Sequence, residues 1–224
     1  MRQIFFQLGL ICLLTNQAAN AESTILQKGP FTSKDGLSIF VRAEGPATRE
    51  TPLQAACFFE HQASGDLLSG GTETFNEKIG GLIKKLRDNG DFKGNELETL
   101  VILPPLATVP AKKILLIGLG DPMTFSAERM KKVGSVAVRE AFKAGVDKLS
   151  FSPNVTDAGA KTVPVQEFDQ KFIEGVLEAY KIQKELNKQK LVPDVTLTEF
   201  TLEAGELNVP SAAKAVEAAI KATN

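Results

Sequence analysis

Two glycine-containing stretches carry the residues whose types and spacing could do chemistry. In Lys112–Met123, KKILLIGLGDPM, an apolar run of strand length exits into Gly118-Leu119-Gly120. In Leu67–Thr72, LLSGGT, the residues Ser69, Gly70 and Gly71 stand where a strand gives way to a helix. Backbone N–H groups at such a turn can cradle an anion, so these five residues are the candidate ligand-binding set. A dinucleotide fingerprint is a stricter test. It needs G-x-G-x-x-G and an acidic residue about twenty positions on. Met123 stands at the third glycine position, Pro122 precedes it, and the next strand ends in Ser152-Pro153-Asn154 with no carboxylate. Gly118 and Gly120 therefore read first as a turn that brings a buried strand into a helix.

Other chemistry is thinly supplied. His61 is the only histidine, at the end of the strand-like run LQAACFFE, and reads as a surface or loop-packing residue. No His/Cys cluster for a metal can be assembled, so no metal site and no cofactor are expected. No serine sits in a G-x-S-x-G turn. The lysines between Lys181 and Lys190 alternate with Glu178, Glu185 and Asn187, the pattern of a solvated helix face. Asn154-Val155-Thr156 is a glycosylation acceptor that matters only in a eukaryotic secretory pathway.

The first residues read as a targeting segment. Arg2 precedes an apolar run from Ile4 to Leu14, and Ala19-Asn20-Ala21 offers small residues to a signal peptidase. Residues 1–21 are expected to be cleaved, which makes the protein exported, periplasmic or secreted. The run is too short to span a bilayer, and Ile11 before Cys12 is too large for a lipoprotein site, so no membrane anchoring is expected after cleavage. Cleavage removes Arg2 and no acid, so 26 basic residues become 25 against 27 acidic ones. That balance gives no electrostatic reason to bind nucleic acid. Cys57 then remains as the single cysteine, in an apolar run where a buried thiol is expected.

The elements that must position these residues follow from periodicity. Residues 22–36 show none and read as a loose amino-terminal arm. Leu37–Arg42 and Leu53–Glu60 read as strands. Phe75, Ile79, Leu82, Ile83 and Leu86 share one helical face, ending at Asn89-Gly90. Strands are expected at Leu97–Leu103, Lys113–Ile117, Lys148–Ser152 and Asp194–Leu202. Between them, Ser126 caps a helix with Met130, Val133, Ala137 and Ala141 on one face, and Phe172, Val176 and Tyr180 mark another from Phe168 to Leu186. Ser211–Ala222 is an alanine-rich helix. Alternating strands and helices argue for an α/β domain with both sheet faces covered, and the early strand pair for a mixed sheet.

The strings FFEHQASGDLLSGG, KKLRDNGDFKGNELETLVI, KKILLIGLGD, SAERMKKVGSVAVREAFKAG and EGVLEAYKIQK, in this order and spacing, resemble the amino-terminal domain of the M17 leucyl aminopeptidases, from about Leu53 onward. The resemblance implies a three-layer α/β/α sandwich, macro-domain-like, with a mixed, mostly parallel sheet over 37–205 and a linker-helix equivalent over 206–224. In that family a larger carboxyl-terminal domain holds two metals and the catalytic residues, and this sequence stops where that domain would begin. The string N-V-T-D-A-G-A-K from Asn154 is similar to the family's catalytic string, but Gly159 replaces the ligand glutamate and Lys161 the arginine. The family domain helps hold oligomers together, shapes access to active sites and in some bacterial members contributes to DNA binding. The expectation is a non-catalytic exported binding or assembly protein that associates with itself or another protein. The alternatives are a domain for a small anionic ligand, such as ADP-ribose or phosphate, and an aminopeptidase by family label. The latter lacks a set of carboxylates for two-metal hydrolysis.

Overall fold

A computed structural model describes residues 25–62, 65–66, 68–153, 155–156, 165–194 and 196–223. The signal segment and residues 154 and 157–161 of the N-V-T-D string lie outside the described residues.

Among the described residues seven strands form one sheet: β1 (Gln27–Thr32), β2 (Ser38–Arg42), β3 (Leu53–Phe59), β4 (Thr99–Ile102), β5 (Ile114–Gly120), β6 (Lys148–Ser152) and β7 (Glu199–Glu203). Their spatial order is β1-β2-β7-β6-β3-β5-β4. The five inner strands are parallel, and only the edges, β1 on β2 and β4 on β5, run antiparallel. The sheet is mixed, as expected, but for a different reason: β2 and β3 do not pair, because β7 and β6 lie between them.

Helices α3 (Ala127–Lys143), α4 (Val165–Lys188) and α5 (Val209–Thr223) cover one face, and α1 (Gly70–Lys78) and α2 (Leu82–Asp88) the other. The pleat sorts the strand residues between them. In β3, Ala55, Cys57 and Phe59 join the core under α3, α4 and α5, while Ala56 and Phe58 meet Phe75, Ile79 and Ile83 of the other layer. With both faces covered, β3 and β5 are buried at every position, which is why they read as continuous apolar runs.

Four expectations need correction. The strand expected from Asp194 starts only at Glu199. Residues 27–32 are not a loose arm but the edge strand β1. All but Phe31 of that strand are exposed, so no periodicity could show. The single helix expected through Phe75 and Leu86 is two, broken at Gly80 and Gly81, which both adopt positive φ. Its apolar face survives the break, with Ile79 and Ile83 buried on either side. Strand β4 is shorter than 97–103, because Leu97 takes φ +60°.

One part of the second face is polar. Glu199, Thr201 and Glu203 of β7 point the same way as Ser150 and Ser152 of β6, and Gln54 of β3 lies beside them. Instead of a helix, the loop from Glu44 to Pro52 crosses this track. Its Arg49 reaches Glu44, Glu199 and Ser150, each at 3.4 Å.

Candidate ligand cleft

The inner strands share one direction, so their carboxyl ends open on one side of the sheet, the side where open α/β sheets bind ligands. A cleft of about 280 Å³ lies there. Glu44 to Pro46 form one wall, the exits of β6 (Ser152, Pro153) and β7 (Glu203 to Gly205) its base, and Val165 and Asp169 of α4 the far wall, with Gly71 of α1 at its edge.

Two acids define its chemistry. Glu203 is 2 % exposed. Its Oε2 accepts a hydrogen bond from Gln54 Nε2 at 3.2 Å, and its Oε1 is buried without a partner among the described residues. Burial pushes this carboxyl up to about 8. The Gln54 bond opposes the rise, the Glu44 charge adds to it and Arg49 opposes it. Asp169, 4 % exposed, is pushed up to about 7 by burial. Burial thus favours the neutral form of both acids. Glu44 is the third acid of the lining, and among the described lining residues there is no Lys, Arg or His.

Of the five residues singled out from the sequence, Gly71 borders this cleft. Ser69 is the extended N-cap of α1, and Gly70 opens that helix at φ +55°. Gly118 and Gly120 sit elsewhere, under the segment 94–98. Gly118 N donates to Glu98 O at 2.8 Å, Leu97 N donates to Gly118 O at 2.9 Å, and Gly120 N donates to Gly94 O at 2.9 Å. A methyl group at Gly118 would overlap Asn95 O. Both glycines lie inside β5 and not in a turn, and backbone close approach explains the pair.

The remaining candidates resolve locally. His61 Nδ1 lies 3.1 Å from both Asp66 oxygens, and Asp66 also pairs with the buried Arg87, whose Nη2 donates to Phe59 O at 2.8 Å. Burial raises the Asp66 carboxyl, but hydrogen bonds and charge from Arg87, then His61, hold it below its ordinary range. Cys57 is buried, its Sγ donates to Pro153 O at 2.6 Å, and burial pushes the thiol far up. A thiol in that state is no nucleophile. Among the described residues no group of three or more His, Cys, Asp or Glu is placed to hold a metal ion. No described helix is long and apolar enough to cross a membrane.

Sequence reasoning missed Glu203 and Asp169. The available signal was Glu199, Thr201 and Glu203 at period two in a strand that should be central. Polar residues on one side of a covered strand demand a polar neighbour.

The fold defines a macrodomain-like α/β sandwich. It superposes on the Oceanobacillus iheyensis macrodomain with MES bound at TM-score 0.62 and 10 % identity, over 88 % of this chain and 98 % of that one. A tomato leucine aminopeptidase mutant superposes at TM-score 0.60 and 14 % identity, over 85 % of this chain and 36 % of that one. The model of the cytosol aminopeptidase family, N-terminal domain, matches residues 57–188, and the chain belongs to that family through this domain. A probable cytosol aminopeptidase of Alkaliphilus metalliredigens is 36 % identical over 80 residues, 36 % of this chain and 16 % of that protein. One of Geotalea uraniireducens is 28 % identical over 140 residues, 61 % of this chain and 27 % of that protein. The chain therefore matches about a quarter or less of the length of these relatives.

Proposed function

We propose that this chain is a non-catalytic, exported binding and assembly domain that associates with protein, a second copy of itself first. The observation that supports this reading is the edge of the sheet at β4. Val101 is 42 % exposed in that strand, and Leu103 and Leu106 just beyond it are 73 % and 99 % exposed. An outer strand offers unpaired N–H and C=O groups, and apolar side chains beside it make a surface that gains by being covered. Export rests on the targeting pattern of residues 1–21.

Light scattering on the size-separated protein tests the assembly. The expected result is an oligomer that dissociates when Leu103 and Leu106 are both changed to Lys. A strict monomer at every concentration overturns self-association.

A second reading, a small-ligand domain, is favoured by the cleft. The Oceanobacillus macrodomain was also solved with ADP. The acids Glu44, Asp169 and Glu203, with no basic residue among the described lining, argue against a polyanion in this chain's cleft.

A further inference from the structure

The cleft at the exits of β6 and β7 combines two features that a spent structural pocket would not keep. Its described lining has three acids and no base. One of those acids, Glu203, is buried with an acceptor oxygen that has no partner among the described residues. Leaving a buried polar atom unpaired costs roughly 1–3 kcal/mol, so such an atom calls for a partner from outside. We infer that this cleft binds a small organic cation, a primary ammonium on a short aliphatic body, with Glu203 and Asp169 as its acceptors.

The chemistry of the walls selects the ligand class. An ammonium presents three N–H donors and one positive charge. It can satisfy Glu203 Oε1, whose sister oxygen is already held by Gln54. Asp169 reaches the same cleft from α4. Pro46, Pro153, Val155 and Val165 supply apolar wall for an aliphatic body, which a bare metal ion would leave unused. The volume, about 280 Å³, is near the lower end of small-molecule sites and far larger than one ion. An anionic ligand would meet Glu44 and gain nothing from the two buried carboxyls.

Binding is coupled to protons. In the empty cleft burial favours the neutral acids; an ammonium beside them favours the carboxylates, so the cation enters with its charge and a carboxyl proton leaves to solvent. Among the described residues, the groups that act on Glu203 from neighbouring elements are Gln54 of β3 and Glu44 and Arg49 of the β2–β3 loop, and the cause at Asp169 is burial. Affinity should rise as pH rises through the neutral range.

The test is titration calorimetry with n-butylamine and putrescine in phosphate and in MOPS, buffers that differ in ionisation enthalpy and carry no primary amine. Saturable binding is expected, with a buffer-dependent heat that reports proton release. Glu203→Gln, which resembles the neutral acid in shape, should weaken it about tenfold or more. Asp169→Asn serves as a second variant, and thermal melts of both establish that they fold. Absence of saturable heat at millimolar amine overturns the inference, as does undiminished binding in both folded variants. ADP-ribose or magnesium binding that amines do not displace also overturns it. The inference stands apart from the assembly reading, since a monomer that binds amine would refute one and support the other.

Discussion

Gly134 of α3 and Gly175 of α4 pack reciprocally against the backbone of each other's helix: a methyl group at Gly134 would overlap Phe172 O, and one at Gly175 would overlap Lys131 O. Ser135 Oγ, 3.1 Å from Gly175 O, ties the same crossing. This closeness sets the position of α4, and α4 carries Asp169 into the cleft.

Alanine is the better helix former by about 1 kcal/mol, yet here it should lose. Gly134→Ala or Gly175→Ala is expected to destabilise by about 2 kcal/mol or more, because overpacked backbone cannot yield as a flexible side chain can. Gly45 has open space around it and should accept alanine with little change. Denaturant midpoints compare the three; a neutral Gly175→Ala would refute the close crossing.

Arg87 is 3 % exposed and holds both Asp66 and the Phe59 carbonyl, with Phe58 and Phe92 rings 5.6 Å and 5.8 Å from its guanidinium. Replacing it by Met leaves Asp66 without its main partner, at an expected cost of about 3 kcal/mol. Asp66 is held low in the folded state, so its share of stability is present above its ordinary value and is lost as pH falls through the folded one. The acid limb of the stability profile should therefore be shallower in Arg87→Met. An unchanged acid limb would show that the pair does not couple to folding.

Glu203 and Asp169 work in the opposite sense. Their folded values, about 8 and about 7, lie above the ordinary 4.5 and 3.8. Their contribution is complete below those ordinary values and is lost as pH rises toward the folded ones. The unfolded chain releases the proton first, and each group can then remove up to about 1.4 kcal/mol per pH unit. Glu203→Gln cannot ionise, so its urea midpoint relative to the parent should climb between about pH 5 and about pH 8.5. A constant difference over that range would mean that Glu203 is ionised in the folded protein.

Gly118 distinguishes backbone packing from ligand binding. Gly118→Ala should lower the thermal midpoint by several degrees, since its methyl group meets the Gly94–Asn95 backbone. It should leave ligand heats unchanged in whatever fraction stays folded. A stable variant with altered binding would return the β5 exit to the candidate site.

The targeting segment has a direct readout. Mass spectrometry of protein recovered from outside the cytoplasm should find Glu22 as the first residue. An intact Met1 in that fraction would overturn cleavage, and absence of the protein from that fraction would overturn export.

What could be read from the sequence was what repeats locally. The faces of α3 and α4 were legible because a helix packed on a sheet must keep its apolar residues at fixed spacing, and Met130, Val133, Phe172 and Val176 do. The β5 run was legible because a strand covered on both faces has no room for polar residues. The family followed from the order of such pieces. The edge strand β1 was not legible, since an exposed strand held mainly by backbone bonds leaves little side-chain pattern. Nor could local sequence place β7 between β2 and β6. Strand order in a parallel sheet is set by crossovers and by the packing of α4 and α5, contacts between segments far apart in the chain. That placement alone sets Glu203 beside Gln54 and brings it to the same cleft as Asp169, and burial around them, a property of the packed molecule, raises both carboxyls above their ordinary range.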